Sequence, residues 1–288
     1  MFFLKIYGFF FSLAGKCIFY LQKAQDHFRR QIAYAASDKQ ELSRNRIFKE
    51  KNTGQKCFIL GTGPSLLKHD LTQLANEQVF VVNSFYQHDQ INIISPNFYV
   101  FADPGFYRIE VPSVLKWWED FASKSKNLGI SFFLPIQLKN TGVHTLLKDE
   151  KVYFLDLGLP FYKDAAYKFD PTQTVNGVQN VLVLCIQLAI YMGFKDIYLL
   201  GADHDWLTNF MYKEQTHFYA KENVEMEGLE QNHLLYYNWW LSAVNEKFRQ
   251  YKEVNVFAKD KGVRIYNASE AGVLDVFPWI TYKEALKK

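Results

Sequence analysis

From residue 57 onward, short apolar runs alternate with longer helix-like stretches, and nothing else in the chain limits its fold so tightly. The runs are "CFIL" (57–60), "VFVV" (79–82), "FYVFA" (98–102), "ISFFL" (130–134), "VYFLDL" (152–157), "DIYLL" (196–200) and "VRIY" (263–266). Helix-like stretches lie near 66–75, 107–123, 176–192 and 230–255. Strand–helix alternation of this kind predicts an α/β fold: a Rossmann-like, mostly parallel sheet with helices on both faces. There is no internal repeat and no low-complexity tract. With 288 residues, 49% hydrophobic and 22% charged, the chain has material for a substantial core. Aromatic residues reach 17%, a surplus that either lines a binding groove or fills the core.

In such sheets, ligands bind beyond the carboxyl ends of the strands. Four strand ends carry loops with small or polar residues: Gly61-Thr62-Gly63-Pro64-Ser65, Asn83-Ser84-Phe85-Tyr86, Asp103-Pro104-Gly105 and Gly201-Ala202-Asp203-His204-Asp205-Trp206. Together they predict one nucleotide-sized crevice. The first turn lacks the third glycine of the dinucleotide fingerprint, and Lys68 is not placed as in a P-loop. Gly61 and Gly63 are expected to allow positive φ and close approach to a ligand, with Pro64 opening a helix. The amides of Ser65 and Leu66 would then face an anion at the helix start. The plain alternative is a tight turn that holds nothing. Thr174, Asn176 and Gly177 are read as opening the apolar helix before "DIYLL", where they either cap it or bind a ribose or base.

Charge is unevenly placed. Residues 1–56 hold 11 Lys or Arg and 4 Asp or Glu, leaving 22 basic and 26 acidic residues for the rest. The overall net charge of +3 is too small to point to nucleic acid. A basic amino terminus on a mildly acidic body points to an anionic surface. On a helix advancing about 100° per residue, Lys5, Ser12, Lys16, Lys23 and Arg30 fall within roughly 20° of one line, with Phe, Leu and Ile filling most of the rest. That pattern predicts an amphipathic helix in the membrane interface, with a membrane span or an oligomer-packing helix as the other readings. Lys5 and Lys16 interrupt the apolar run and no cleavage site follows, which argues against a signal peptide. Either membrane reading leaves the body on the cytoplasmic side. The expected organisation is a 1–56 helix and linker followed by a 57–288 catalytic domain with a lid-like segment at 205–230. Cys17, Cys57 and Cys185 sit apart in apolar runs, as buried thiols rather than disulfides or a zinc site.

"ILGTGPSL", "VVNSFY", "FADPGFY", "TVNGVQNVLVLCIQLAIYMGFKDIYLLGAD" and "GVRIYNASEAGVLDVFPW" resemble the bacterial sialyltransferases of glycosyltransferase family 42. They equally resemble the motility accessory factors and the archaeal 6-hydroxymethylpterin pyrophosphokinases. The resemblance covers roughly residues 57–280. It implies a transferase that takes a nonulosonic acid from a CMP-linked donor to a cell-surface glycan or lipid-linked acceptor, without a metal cofactor. It places the CMP against residues 61–65, Asn83, Asp103, Asn176, Gly177 and Asp203, and Thr174 and Gly201 adjoin these. Thr62 and Asp103 stand where the sialyltransferases have Asn, and Asp205 stands near their phosphate-binding Tyr. The resemblance also implies a histidine general base after the Gly-x-Asp strand. His217 is the leading candidate, with His204 and His233 as the others, and Tyr212 and Tyr219 are candidate donors to the leaving phosphate or the sugar carboxylate. The competing expectations are a Mg²⁺-dependent pyrophosphokinase using Asp103, Asp203 and Asp205, and a non-catalytic nucleotide-binding module.

Overall fold

The computed structural model describes residues 37–126, 128–147, 150–161, 165–207, 217–219 and 236–288, together with 25, 28, 29, 32 and 33. The expected interfacial residues Lys5, Lys16, Lys23 and Arg30 lie outside the described residues, as do Cys17, Tyr212, His233 and most of the 205–230 segment. Among the described residues, no helix is long and apolar enough to cross a membrane.

All seven apolar runs become strands: β1 (Lys56–Leu60), β2 (Val79–Val82), β3 (Phe98–Val100), β4 (Ser131–Pro135), β5 (Lys151–Leu155), β6 (Asp196–Leu200) and β7 (Arg264–Asn267). They form one sheet in the order β5-β4-β3-β2-β1-β6-β7, and every pairing is parallel. The chain builds outward from β1 to β5, then crosses back to add β6 and β7 on the other side. The reversal therefore falls between β1 and β6.

Both faces of the sheet are buried, which is why the strands are apolar without interruption. Side chains alternate between two cores. Cys57, Ile59, Phe80, Val82, Ile197 and Leu199 face one core, under helices α2 (Val181–Tyr191) and α3 (Tyr236–Asp260). Phe58, Leu60, Val81, Tyr99, Tyr198 and Leu200 face the other, under α1 (Pro112–Ser125). The aromatic surplus is largely spent in this second core. Trp117, Trp118 and Phe121 of α1 pack with Phe101 and Phe106 at centroid distances of 4.5–6.4 Å. Burial raises the Cys57 and Cys185 thiols well above their ordinary range, and both are unbonded.

Two expectations about the chain path are corrected. The stretch read as a linker packs onto the body. Asn45 is fully buried, its amide donating to the carbonyls of Phe154 and Pro171, and Phe48 lies against Phe98, Phe133 and Tyr153. The expected helix at 66–75 is two 3₁₀ turns, Pro64–Lys68 and Leu71–Leu74. Asp70 intervenes, capping the second turn by accepting from the Thr72 amide.

Candidate functional site

A cleft opens at the carboxyl ends of β1, β2 and β6, at the reversal of strand order where open α/β sheets bind ligands. Gly61, Thr62, Gly63, Asn83, Gly201, Asp203, His204 and His217 line it, joined by Val82, Asn180, Val181, Leu182 and Trp206. The cavity is small, ≈ 70 Å³ among the described residues, where sites for drug-sized ligands run to about 300 Å³ or more.

The glycine turn is built differently from the expected cradle. Gly61 and Gly63 are outside the positive-φ region, Gly63 having φ −63°. They extend the parallel ladder past the strands: the Gly61 amide donates to Leu200 O at 2.8 Å and the Gly63 amide to Gly201 O at 2.9 Å. A Cβ on Gly61 would lie 2.4 Å from Gly201 O, and one on Gly63 would lie 2.6 Å from the Asp203 carboxylate carbon. Neither Cβ fits, so the glycines serve the contact between two loops. The Ser65 amide donates to Asp203 Oδ2 at 2.8 Å and the Ser65 hydroxyl to Asp203 Oδ1, while the Leu66 amide closes on Gly63 O. The anion held by this turn is thus the protein's own carboxylate. Burial raises the Asp203 pKa, the Ser65 hydrogen bonds oppose that rise, and the nearby Asp205 adds to it.

The loop after β7 buttresses Asp203. Gly272, at φ +109°, would place a Cβ 2.0 Å from Asp203 O, and the Val273 amide donates to that same oxygen at 2.7 Å. Across the cleft, Asn83 adopts φ +47°, a conformation Asn tolerates better than most residues. The Tyr99 hydroxyl donates to its carbonyl at 2.5 Å. Among the described residues, Asn83 Oδ1 is buried without a hydrogen-bond partner, the kind of group a bound ligand satisfies.

The two candidate histidines in the cleft differ in kind. His204 is buried at φ +57°, with Nε2 2.7 Å from the Tyr251 hydroxyl. Tyr251 donates onward to Asn180 Oδ1 at 3.0 Å, so it accepts from His204 Nε2–H. Burial, helped by the Lys247 charge, lowers the His204 pKa to about 3. With its proton fixed on Nε2, His204 belongs to the framework of the site. His217 instead has Nδ1 2.9 Å from the Thr62 hydroxyl, and the next amide, of Phe218, donates to Thr62 O at 2.9 Å. Residues 217–219 are thereby pinned to the glycine turn.

Several expected site residues fall elsewhere. Thr174, Asn176 and Gly177 precede the helix, which starts at Val181 with Asn180 as its cap. Thr174 donates to Asp156, Asn176 to Pro160 O, and the Gly177 amide to Leu159 O, forming a tie beyond β5. Asp103 caps the turn Pro104–Tyr107, and neither it nor Asp205 lines the cleft. Pro64 and Ser65 shape the turn from behind. Tyr219 stacks on His217 but lines a second cavity of ≈ 280 Å³ with Leu67, Gln87, His88, Asp89 and Phe218. Among the described residues, no three His, Cys, Asp or Glu side chains form a metal-ligand set.

Asn180 also lines the cleft, and Lys247 and Tyr251 adjoin it through Trp206 and His204. Asn180 was recoverable as an Asx residue immediately before the apolar run "VLVLCIQLAIY". Trp206 belongs to the strand-end loop after β6, whereas Lys247 and Tyr251 carry no such local signal. They meet Trp206 and His204 because α3 folds back over the end of β6.

A family model described as "MptE-like: 6-hydroxymethylpterin diphosphokinase MptE-like" matches residues 28–209. No curated protein matches the chain. Among solved structures, the chain is similar to the sialyltransferase CstII from Campylobacter jejuni in complex with CMP-3FNeuAc. The identity is 17%, covering 78% of this chain and 86% of that one, with a TM-score of 0.43. Similar too is the monofunctional alpha-2,3-sialyltransferase Cst-I from the same organism, at 17% identity, 78% and 80% coverage and a TM-score of 0.44. The MAf glycosyltransferase from Magnetospirillum magneticum AMB-1 gives 12% identity, 84% and 38% coverage and a TM-score of 0.47.

Proposed function

The chain belongs to the MptE-like family, and from that premise we propose that it is a group transferase acting on a nucleotide-linked substrate, specifically a glycosyltransferase with a CMP-linked nonulosonic acid donor. The observation that carries this reading is the placing of His217 over the glycine turn by the Thr62 hydroxyl, in the cleft at the β1–β6 reversal. When His217 Nδ1–H donates to Thr62, the ring's lone pair lies on Nε2. That nitrogen takes the proton of an acceptor hydroxyl while the oxygen bonds to the anomeric carbon from the face opposite the nucleotide. The bond from that carbon to the phosphate oxygen breaks, and its electron pair leaves with CMP. A neutral imidazole suits this task near pH 7. Asn83, with its unpartnered Oδ1, is offered as a donor-binding group. The second cavity, bordered by Phe218, Tyr219, Gln87 and Asp89, would take the acceptor, since its wall continues directly from His217.

The family description favours a second reading, a diphosphokinase. It would need Mg²⁺, and the residues do not fit a protein-bound ion. Asp203 is already satisfied by Ser65, and Asp103 and Asp205 do not line the cleft with it. The transferase reading calls for no metal.

The test is a thermal-shift series with CMP, CDP, UDP, GDP and ATP, each with and without Mg²⁺. Stabilisation by CMP alone is expected, and stabilisation only by ATP with Mg²⁺ would replace this reading with the diphosphokinase. His217→Ala should keep CMP binding and lose on the order of 10²–10⁴-fold in CMP-sugar hydrolysis. Absence of hydrolysis in the unaltered protein would leave a binding module. The proposal includes peripheral attachment to the cytoplasmic face of the inner membrane through residues 1–30. Glu at Lys5, Lys16, Lys23 and Arg30 should abolish co-sedimentation with anionic vesicles.

A further inference from the structure

We propose that Lys247 is the cation that meets the phosphate of a nucleotide bound in the cleft. The inference rests on the nucleotide reading above and adds the positive charge that the glycine turn lacks. Lys247 lies on α3, one turn before Tyr251, so both side chains share one helical face. Tyr251 reaches into the site through its bond to His204. The Lys247 ammonium sits 4.2 Å from the centre of the Trp206 ring, and Trp206 lines the cleft. It is half-buried, and among the described residues it makes no ion pair. Among the described residues, the opposite charge that acts on it is Asp103. That carboxylate is engaged by the Gly105 amide at 2.7 Å.

An ammonium held partly out of water against an indole, without an anion in contact, is costly to keep. The cost is offset when an oxyanion arrives. On the opposite flank the Gly61 and Gly63 amides are taken by the Leu200 and Gly201 carbonyls, the Ser65 amide by Asp203 and the Leu66 amide by Gly63 O. A phosphate in the cleft would thus find its counter-charge on the helix side.

The experiment measures calorimetric Kd values for CMP, cytidine, inorganic pyrophosphate and N-acetylneuraminic acid. The unaltered protein is compared with Lys247→Gln, Lys247→Met and Lys247→Arg. Lys247→Met keeps the stem against Trp206 and guards against loss of packing in the Gln variant. CMP and pyrophosphate should bind both neutral variants on the order of tenfold more weakly, with cytidine unchanged and Arg restoring most of the affinity. Unaltered Kd values for CMP and pyrophosphate in both neutral variants would overturn the assignment. A loss confined to N-acetylneuraminic acid would overturn it too, because the partner would then be a carboxylate. CMP binding that ignores Lys247 would leave the transferase reading standing without this residue. Pyrophosphate binding that depends on Lys247, with no CMP binding, would do the reverse. An unaltered protein that binds neither anion sinks both.

Discussion

On one flank of the cleft, residues 61–65 are pressed against residues 201–203, and on the other, His204, Trp206 and Lys247 gather along one face of α3. The first flank is closed. The amides of Gly61, Gly63 and Ser65 are paired, its glycines leave room only for Gly201 and Asp203, and its carboxylate is satisfied within the protein. The second flank joins a satisfied chain, His204 to Tyr251 to Asn180, to an ammonium that makes no ion pair among the described residues. A glycine-rich turn at a strand end is therefore not by itself an anion site. The same glycines that permit a ligand's approach permit a second loop's approach, and only the neighbour decides which happens.

The contrast can be broken by acid. His204 has a folded pKa of about 3 against an ordinary value near 6.5, so the unfolded chain binds its proton first. Stability contributed by the buried neutral ring is present above about pH 6.5 and is lost as pH falls towards 3, on the order of 5 kcal/mol at most. Asp203 works in the opposite sense, because its raised pKa lets the native state take up a proton before the unfolded chain does. Chemical denaturation from pH 7 to 4 should show a net loss that flattens in His204→Asn, since Asn accepts the positive φ. An unchanged slope would mean that the ring is not held neutral.

Asp203→Ala should have the next largest effect, about 3 kcal/mol of stability in the absence of any ligand, because it orphans the Ser65 amide and hydroxyl. Gly63→Ala should cost about 2 kcal/mol, also without ligand, since the new methyl meets Asp203 and Gly201 O at 2.6 and 2.7 Å. If instead Gly63→Ala keeps its melting temperature and loses only nucleotide binding, the closed flank is a ligand cradle after all. Thr62→Val should be smallest, about 1 kcal/mol or less, because it removes one hydrogen bond to His217. Its sharper readout is a shift in the pH profile of hydrolysis, as the imidazole loses the partner that fixes its tautomer.

Much of this was legible in the sequence, for a physical reason. A strand buried on both faces must be apolar at every position, so all seven runs announced themselves and their alternation with helices implied parallel pairing. The strand ends were legible too, and Gly61, Thr62, Gly63, Asn83, Gly201, Asp203, His204 and His217 do share one cleft. What misled was local inference at residues 174–177. Thr174, Asn176 and Gly177 have the character of a helix start, but they are drawn into a tie with residues 156–160 from the far side of the sheet.

The sequence by itself determined the sheet, its two buried faces and the rim at which polar residues collect, because period and hydrophobicity act over a few neighbouring residues. Only the tertiary structure decided that Asp203 occupies the glycine turn, that His204 is framework while His217 is held at the turn by Thr62, and that Lys247 lies over Trp206, which lines the cleft. Each of these pairs residues 41 to 155 positions apart. No local pattern encodes such a pairing, since it follows from where the strand order reverses and how α3 folds back across it.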